Sequence, residues 1–206
     1  MNDIKYKYFY WGPFLFHSHI TPEECKMLLK EGKNSRKKSN DFRSRLAGHL
    51  SEEYRLNNKD AIFKWFEKYV SVYIGGYKKW RAREYETTDK FQVVDFWINY
   101  MKSNDFNPPH DHNGDLSVVM YPYVPKEIEK ENKKYKGRGP GPGGIGWFYG
   151  EGNIQYIDNV TMMPQTGDLF IFPASLKHWV FPFRSKVERI SVSANISFKK
   201  HERLIN

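Results

Sequence analysis

Two periodicities divide the chain. Through Asp60–Tyr77, apolar residues recur at helical spacing (Ile62, Phe63, Phe66, Val70, Tyr73, Tyr77) with Lys64, Glu67 and Lys68 between them. That is the pattern of a helix that buries one stripe against a sheet, with Asp60 as its cap. A second helix is expected from Thr21 to about Gly32. There Thr-Pro-Glu-Glu supplies a cap, a proline suited to the first turn and acidic groups for the positive helix end. From about Lys90 the pattern shortens to β-rich runs, Phe91–Tyr100, Leu116–Tyr123, Ile145–Tyr149, Leu169–Phe172, His178–Phe183 and Arg189–Ser197, separated by Gly, Pro, Asn and Asp turns. Short strands in series predict a sandwich or small barrel, not alternating βαβ units. The expected organisation is one domain over 1–206: a mostly helical support in 1–89 and a strand-rich core in 90–198.

One segment breaks the strand series. Pro125–Gly144 begins with the helix-prone Lys126-Glu127-Ile128-Glu129-Lys130-Glu131, turns basic, and ends in Gly139-Pro140-Gly141-Pro142-Gly143-Gly144. A long polar insertion of this kind reads as a mobile lid at a pocket entrance.

Composition narrows the class. With 206 residues, 39% of them apolar and 17% aromatic, the chain can bury a substantial core. Its single cysteine, Cys25, cannot form an internal disulfide and falls in the first helix as a small buried hydrophobe. The beginning, Met1-Asn2-Asp3-Ile4-Lys5, leads into mixed aromatic and polar residues, and no run is long and apolar enough to span a membrane, so the expected setting is cytoplasmic. A net charge of +9 is compatible with acidic or nucleic-acid partners but identifies neither.

Chemistry enters at Pro108-Pro109-His110-Asp111-His112-Asn113-Gly114-Asp115. Alternate residues on an extended segment point the same way, so His110 and His112 can share one ion, and His178 on a distant strand supplies a third imidazole. Neutral imidazole suits iron, zinc, copper and nickel alike, so the residues leave the metal open. Arg189 and Ser191 follow on one strand face, where a guanidinium can clamp a carboxylate with two parallel hydrogen bonds. For Arg189 the rival reading is a surface pair with Glu188.

The stretch from Phe91 to Phe198 resembles the 2-oxoglutarate- and Fe(II)-dependent dioxygenases. The motifs are Pro164-Gln165-Thr166-Gly167-Asp168-Leu169-Phe170-Ile171-Phe172-Pro173, then His178 and Pro182, then Glu188-Arg189-Ile190-Ser191-Val192-Ser193-Ala194-Asn195. The likeness is to the prolyl-hydroxylase-like branch, most of all to small oxygenases of bacteria and their viruses. It implies a double-stranded β-helix, the jelly-roll of cupin-like proteins, with Fe(II) as metal and 2-oxoglutarate as co-substrate. Arg189 would hold the far carboxylate of the co-substrate, with Ser191, Tyr100, Tyr121 and Asn99 lining its pocket. Asn195 is a weaker candidate. One departure stands out: the family's usual carboxylate, two residues after the first histidine, is replaced by His112. Either His110, His112 and His178 form the site, or Asp115 supplies a carboxylate in a His112-Asp115-His178 arrangement.

The resemblance implies hydroxylation of a C–H bond in a peptide or small molecule, with a prolyl residue or free proline first to test. Two other classes remain open. One is oxidative demethylation of nucleic-acid bases, with Trp80, Trp147 and Tyr149 as stacking surfaces. The other is a non-catalytic β-helix module, metal-bound or metal-free.

Overall fold

The structure is a computed structural model that describes residues 12–45, 47–81, 91–137, 139–150 and 159–198. The Met1–Lys5 segment, read above for a leader, lies outside the described residues. The elements in chain order are β1 (Phe16–His19), α1 (Pro22–Ser35), β2 (Glu52–Arg55), α2 (Lys59–Arg81), β3 (Phe91–Met101), β4 (Asn107–His110), β5 (Leu116–Tyr123), α3 (Lys126–Lys133), β6 (Ile145–Phe148), β7 (Asn159–Met162), β8 (Asp168–Pro173), β9 (Lys177–Val180) and β10 (Arg189–Phe198).

These strands form two sheets. The larger has the order β1-β8-β5-β10-β3-β2 and the smaller β4-β9-β6-β7. Every pairing is antiparallel. Two facing antiparallel sheets with helices packed outside one of them make the jelly-roll, or double-stranded β-helix, that the resemblance implied.

Strand alternation sorts the side chains of the large sheet onto two faces. On the outer face Phe96, Ile98, Tyr100, Val118, Met120, Leu169, Ile171, Val192 and Ala194 join Leu28 of α1 and Phe66, Val70 and Tyr73 of α2 in one buried cluster. Thr21 caps α1 as expected: its hydroxyl accepts from Glu24 N while the Glu24 carboxylate accepts from Thr21 N. Gly32 lets α1 approach the sheet, because a Cβ there would run into Ile98. On the inner face Val119, Tyr121, Phe170 and Phe172 meet Ile145 and Trp147 of the small sheet.

The helices and the main strands lie where the pattern places them, within a few residues. Four short strands were not anticipated: β1, β2, β4 and β7. The insertion differs more. The described residues of Pro125–Gly144 fold onto the body. Ile128 of α3 is fully buried against Leu50, Met101 and Phe183. Glu131 accepts from Arg184 N, Ser185 N and the Ser185 hydroxyl. Asn132 donates to the carbonyls of Pro140 and Pro142 and so ties the glycine-proline turn together. Composition suggested solvent; one apolar residue at the right helical position, and side chains that bond backbone, made it an anchored element.

Candidate active site

The inner faces enclose a cavity of about 670 Å³. On the small sheet His110 of β4 and His178 of β9 are direct cross-strand partners, which places their side chains on one face. His112, just past the end of β4, is fixed by its backbone N–H bond to Ala174 O. The three rings stand 4.3 Å (His110–His178), 5.0 Å (His110–His112) and 5.0 Å (His112–His178) apart between centroids. Each offers a ligating nitrogen within 4.8 Å of the other two.

Their protonation suits a cation. His110 Nδ1 lies 2.7 Å from Pro108 O and His178 Nδ1 lies 3.1 Å from Leu176 O. A carbonyl only accepts, so each Nδ1 carries the proton and each Nε2 keeps a free lone pair, the outer bracing typical of metal-bound imidazoles. Burial holds the rings neutral: His110 is pushed below its ordinary value, His112 to about 4 and His178 to about 3, with the neighbouring histidines adding to the effect on the last two. Three neutral, convergent nitrogens, from the buried His178 and the half-buried His110 and His112, fit a divalent metal ion.

Asp115 is not with them. Its carboxylate accepts from Phe198 N at 2.7 Å and its backbone binds Ile196 O and Ala174 N, so it closes the start of β5 against the end of β10. Of the two arrangements read from the sequence, the structure brings together His110, His112 and His178.

At the other end of the cavity lies Arg189, the largest of the fully buried side chains, 2% exposed. It does not pair with Glu188, which reaches instead to Arg36 on the surface. The Arg189 guanidinium lies 5.3 Å from the centre of the Tyr121 ring. It donates to Gly143 O at 2.6 Å and meets the sulfur of Met101 at 2.8 Å, while its buried Nε has no partner. Burial lowers its proton affinity, only partly offset by Tyr121. Among the described residues no carboxylate pairs with it.

Register orders the other candidates between these two ends. Across β3 and β10, Met101 pairs with Arg189, Asn99 with Ser191 and Trp97 with Ser193. The Trp97 ring lies 5.6 Å from that of His112. Asn99 and Ser191 therefore sit midway from the histidines to Arg189, and both line the cavity with Tyr121 and Asn195. Tyr100 does not. Alternation turns it to the outer face, where it packs in the helix-covered core under Arg36. Its place in a strand was read correctly and its side of the sheet was not.

Two features escaped sequence reading. Gly143, inside the supposed lid, brings its carbonyl to Arg189; its φ of 71° favours glycine, and a Cβ there would meet Ile128. Glu53 on the unanticipated β2 also lines the cavity, 3% exposed.

The aromatic residues considered for base stacking do not assemble. Trp147 is core, 2% exposed, whereas Trp80 packs beside Phe14 and Tyr77 on α2. Among the described residues no helix is long and apolar enough to cross a membrane.

Comparison with known proteins agrees with this geometry. Residues 95–195 match the family model described as "Putative 2OG-Fe(II) oxygenase". None of the curated proteins searched matches the chain. Among solved structures, the viral collagen prolyl hydroxylase of Paramecium bursaria Chlorella virus-1, solved as a 2-oxoglutarate complex, superposes with a TM-score of 0.55 at 13% identity, over 90% of this chain and 96% of that one. A Pseudomonas putida prolyl-4-hydroxylase gives 0.52 at 12% identity, over 91% and 92%. HygX of Streptomyces hygroscopicus with iron bound gives 0.53 at 7% identity, over 90% and 82%. Identities this low establish the fold alone, while the family match spans the three histidines and Arg189. Residues 95–195 thus match the 2OG-Fe(II) oxygenase model, and the chain around them takes a fold similar to that of prolyl hydroxylases.

Proposed function

We propose that this oxygenase holds Fe(II) through His110, His112 and His178, anchors 2-oxoglutarate on Arg189, and hydroxylates a C–H bond of a peptide or small-molecule substrate, with a prolyl residue as the first to test. The observation that carries this reading is the buried Arg189 guanidinium, which faces the cavity with no carboxylate partner among the described residues. A dry cation without a counterion is costly, and a dicarboxylate that ends on it removes the cost.

Each group then has a task. Arg189 takes the distal carboxylate, Tyr121 shields that contact from water, and Ser191 and Asn99 flank the path to the histidines. When bound, the iron supplies the oxidising chemistry, using dioxygen and the decarboxylation of 2-oxoglutarate to succinate. The protein supplies orientation and a water-poor chamber. Substrate approaches past the rim, where Arg45, Asp111 and Asn113 border the cavity and are exposed. Support for a prolyl substrate is the fold shared with prolyl hydroxylases, and the buried position of Trp147 gives the base-demethylase reading no stacking surface there.

The test is an anaerobic titration of Fe(II)-loaded protein with 2-oxoglutarate, followed by air. A weak visible metal-to-ligand charge-transfer band, then succinate in amounts equal to the 2-oxoglutarate consumed, is the expected result. A folded, iron-loaded protein with neither band nor succinate would overturn the reading in favour of a structural module.

A further inference from the structure

Glu53 has no part in the chemistry so far, yet it is one of the most deeply buried acids of the molecule and lines the cavity. Among the described residues no lysine, arginine or hydrogen-bond donor meets its carboxyl group. Its cross-strand partner from β2 to β3 is Asn99, whose own partner from β3 to β10 is Ser191. Paired residues project to the same face, so Glu53, Asn99 and Ser191 form a polar row across three strands on the cavity side. Asn99 Nδ2 donates to Ser191 Oγ at 3.4 Å. Asn99 Oδ1, in contrast, is buried and accepts nothing.

Two acceptors on neighbouring positions of one row thus lack a donor among the described residues: the buried Asn99 Oδ1, and the Glu53 carboxyl group where it borders the cavity. Buried polar atoms are seldom left in this state, and a single proton on the carboxyl group would satisfy both. The same row lies midway between the Arg189 level and the Trp97 level beside His112. A dianion reaching from Arg189 to the histidines must pass it.

We infer that Glu53 is a positioning residue for the co-substrate: it donates its carboxyl proton to Asn99 Oδ1, which fixes the amide with its N–H side toward Ser191 and keeps this wall of the passage free of negative charge. The inference rests on the reading of Arg189 as the 2-oxoglutarate anchor. Burial, reinforced by Asp41, pushes the Glu53 carboxyl up to about 8, in keeping with a proton that stays on at neutral pH. Asp41 is the charged group that acts on it; the other charged and titratable groups lining the same cavity are Asp95, Arg45, Tyr121, Arg189 and the three histidines with Asp111.

The experiment is calorimetric titration of 2-oxoglutarate into Ni(II)-loaded protein, which cannot turn over, at pH 7 and pH 9. Wild type, Glu53→Gln and Glu53→Ala are compared, with circular dichroism and thermal melts confirming the fold of each. Between these pH values the protonated fraction of a group titrating near 8 falls from about nine-tenths to one-tenth, so wild-type affinity should drop about tenfold. Glu53→Gln supplies a permanent N–H donor of the same size. It should bind within about threefold of wild type at pH 7 and show little loss at pH 9, because the contributions of the surrounding groups are common to both proteins. Glu53→Ala should bind about tenfold more weakly at both pH values, the scale of one lost buried hydrogen bond. If Glu53→Gln loses affinity with pH as wild type does, or wild-type binding is the same at pH 7 and 9, the role of Glu53 is wrong while the Arg189 reading stands. If wild type binds no 2-oxoglutarate at either pH, the Arg189 reading itself fails.

Discussion

An arginine leaves water only where its protons find acceptors and its charge finds balance. Arg189 meets the first demand in part, through Gly143 O, and the second not at all within the described protein. If Arg189 is the anchor proposed above, truncating it would strand the far carboxylate of 2-oxoglutarate in a dry pocket, at a cost of roughly 2 to 5 kcal/mol. Arg189→Ala should therefore raise the 2-oxoglutarate dissociation constant by one or more orders of magnitude while Fe(II) affinity stays near wild type, since the histidines are untouched. Arg189→Lys should recover only part, because an ammonium keeps the charge and loses the two-pronged geometry. Parallel titrations with metal and with 2-oxoglutarate separate these effects, and an Arg189→Ala protein with unchanged 2-oxoglutarate affinity would assign the anchor to another cation. At this scale much was legible. The order His110, His112, His178, Arg189, Ser191 is written in the chain, and strand alternation says which of them share a face. Tyr100 and Glu53 show where reading stopped. Tyr100 could be assigned a side only with the register of β3 against β10, and Glu53 lies in a four-residue strand too short for its alternation to register in the pattern.

Among the elements, α3 behaves least as its composition suggests. It is short and heavily charged, yet Ile128 is fully buried beside Met101 and Phe183, and the turn that follows delivers Gly143 O to Arg189. Stability and co-substrate binding should therefore be coupled through it. Ile128→Ala opens a cavity under the turn and should cost about 2 to 5 kcal/mol, with 2-oxoglutarate affinity falling as the Gly143 carbonyl loosens. Phe66→Ala on α2 removes a buried ring from the opposite face of the large sheet and should cost about 3 to 5 kcal/mol. In that variant 2-oxoglutarate affinity should not change. Denaturant unfolding paired with calorimetry distinguishes the two, and equal loss of affinity in both would mean that the insertion acts through general stability alone. The long helices and strands were visible because their periodicity persists for several turns or pleats. The fold of the insertion was not visible, because it depends on one apolar side chain and on Asn132 and Glu131 bonding to distant backbone.

For the whole molecule, three imidazoles largely withdrawn from water, His178 buried and His110 and His112 half-buried, impose a pH limit. Each has its proton affinity lowered by folding, His112 to about 4 and His178 to about 3 against an ordinary 6.5. As pH falls below about 6.5 the unfolded chain takes up protons that the folded rings refuse, so the unfolded state gains and stability declines until the folded values are reached. The metal-free protein should melt progressively lower as pH falls from 6.5 toward 4, and replacing His178 with Gln should flatten that slope. A divalent metal at a hundred times its dissociation constant adds about 2.7 kcal/mol at neutral pH, roughly 5 to 10 °C in melting temperature, and this gain should vanish over the same acid range. Differential scanning fluorimetry with and without metal checks both, and an acid slope indifferent to His178 would place the titrating groups elsewhere.

The position of β10 carries a consequence for how the chain comes to fold. This last of the described strands lies inside the large sheet, between β5 and β3, and brings Arg189 and Ser191 with it. Until it is inserted, β5 and β3 each lack a neighbour, and the row from Glu53 to Ser191 is incomplete. During synthesis the strands made earlier must wait, edges open and prone to wrong partners, for a segment still to leave the ribosome. Closure of the sheet and completion of the proposed co-substrate pocket are thus one late event, governed by contacts far apart in sequence and correspondingly slow. A nascent chain short of β10 holds all three histidines but lacks Arg189, so under the proposed function metal capture can precede, and cannot by itself signal, a completed site.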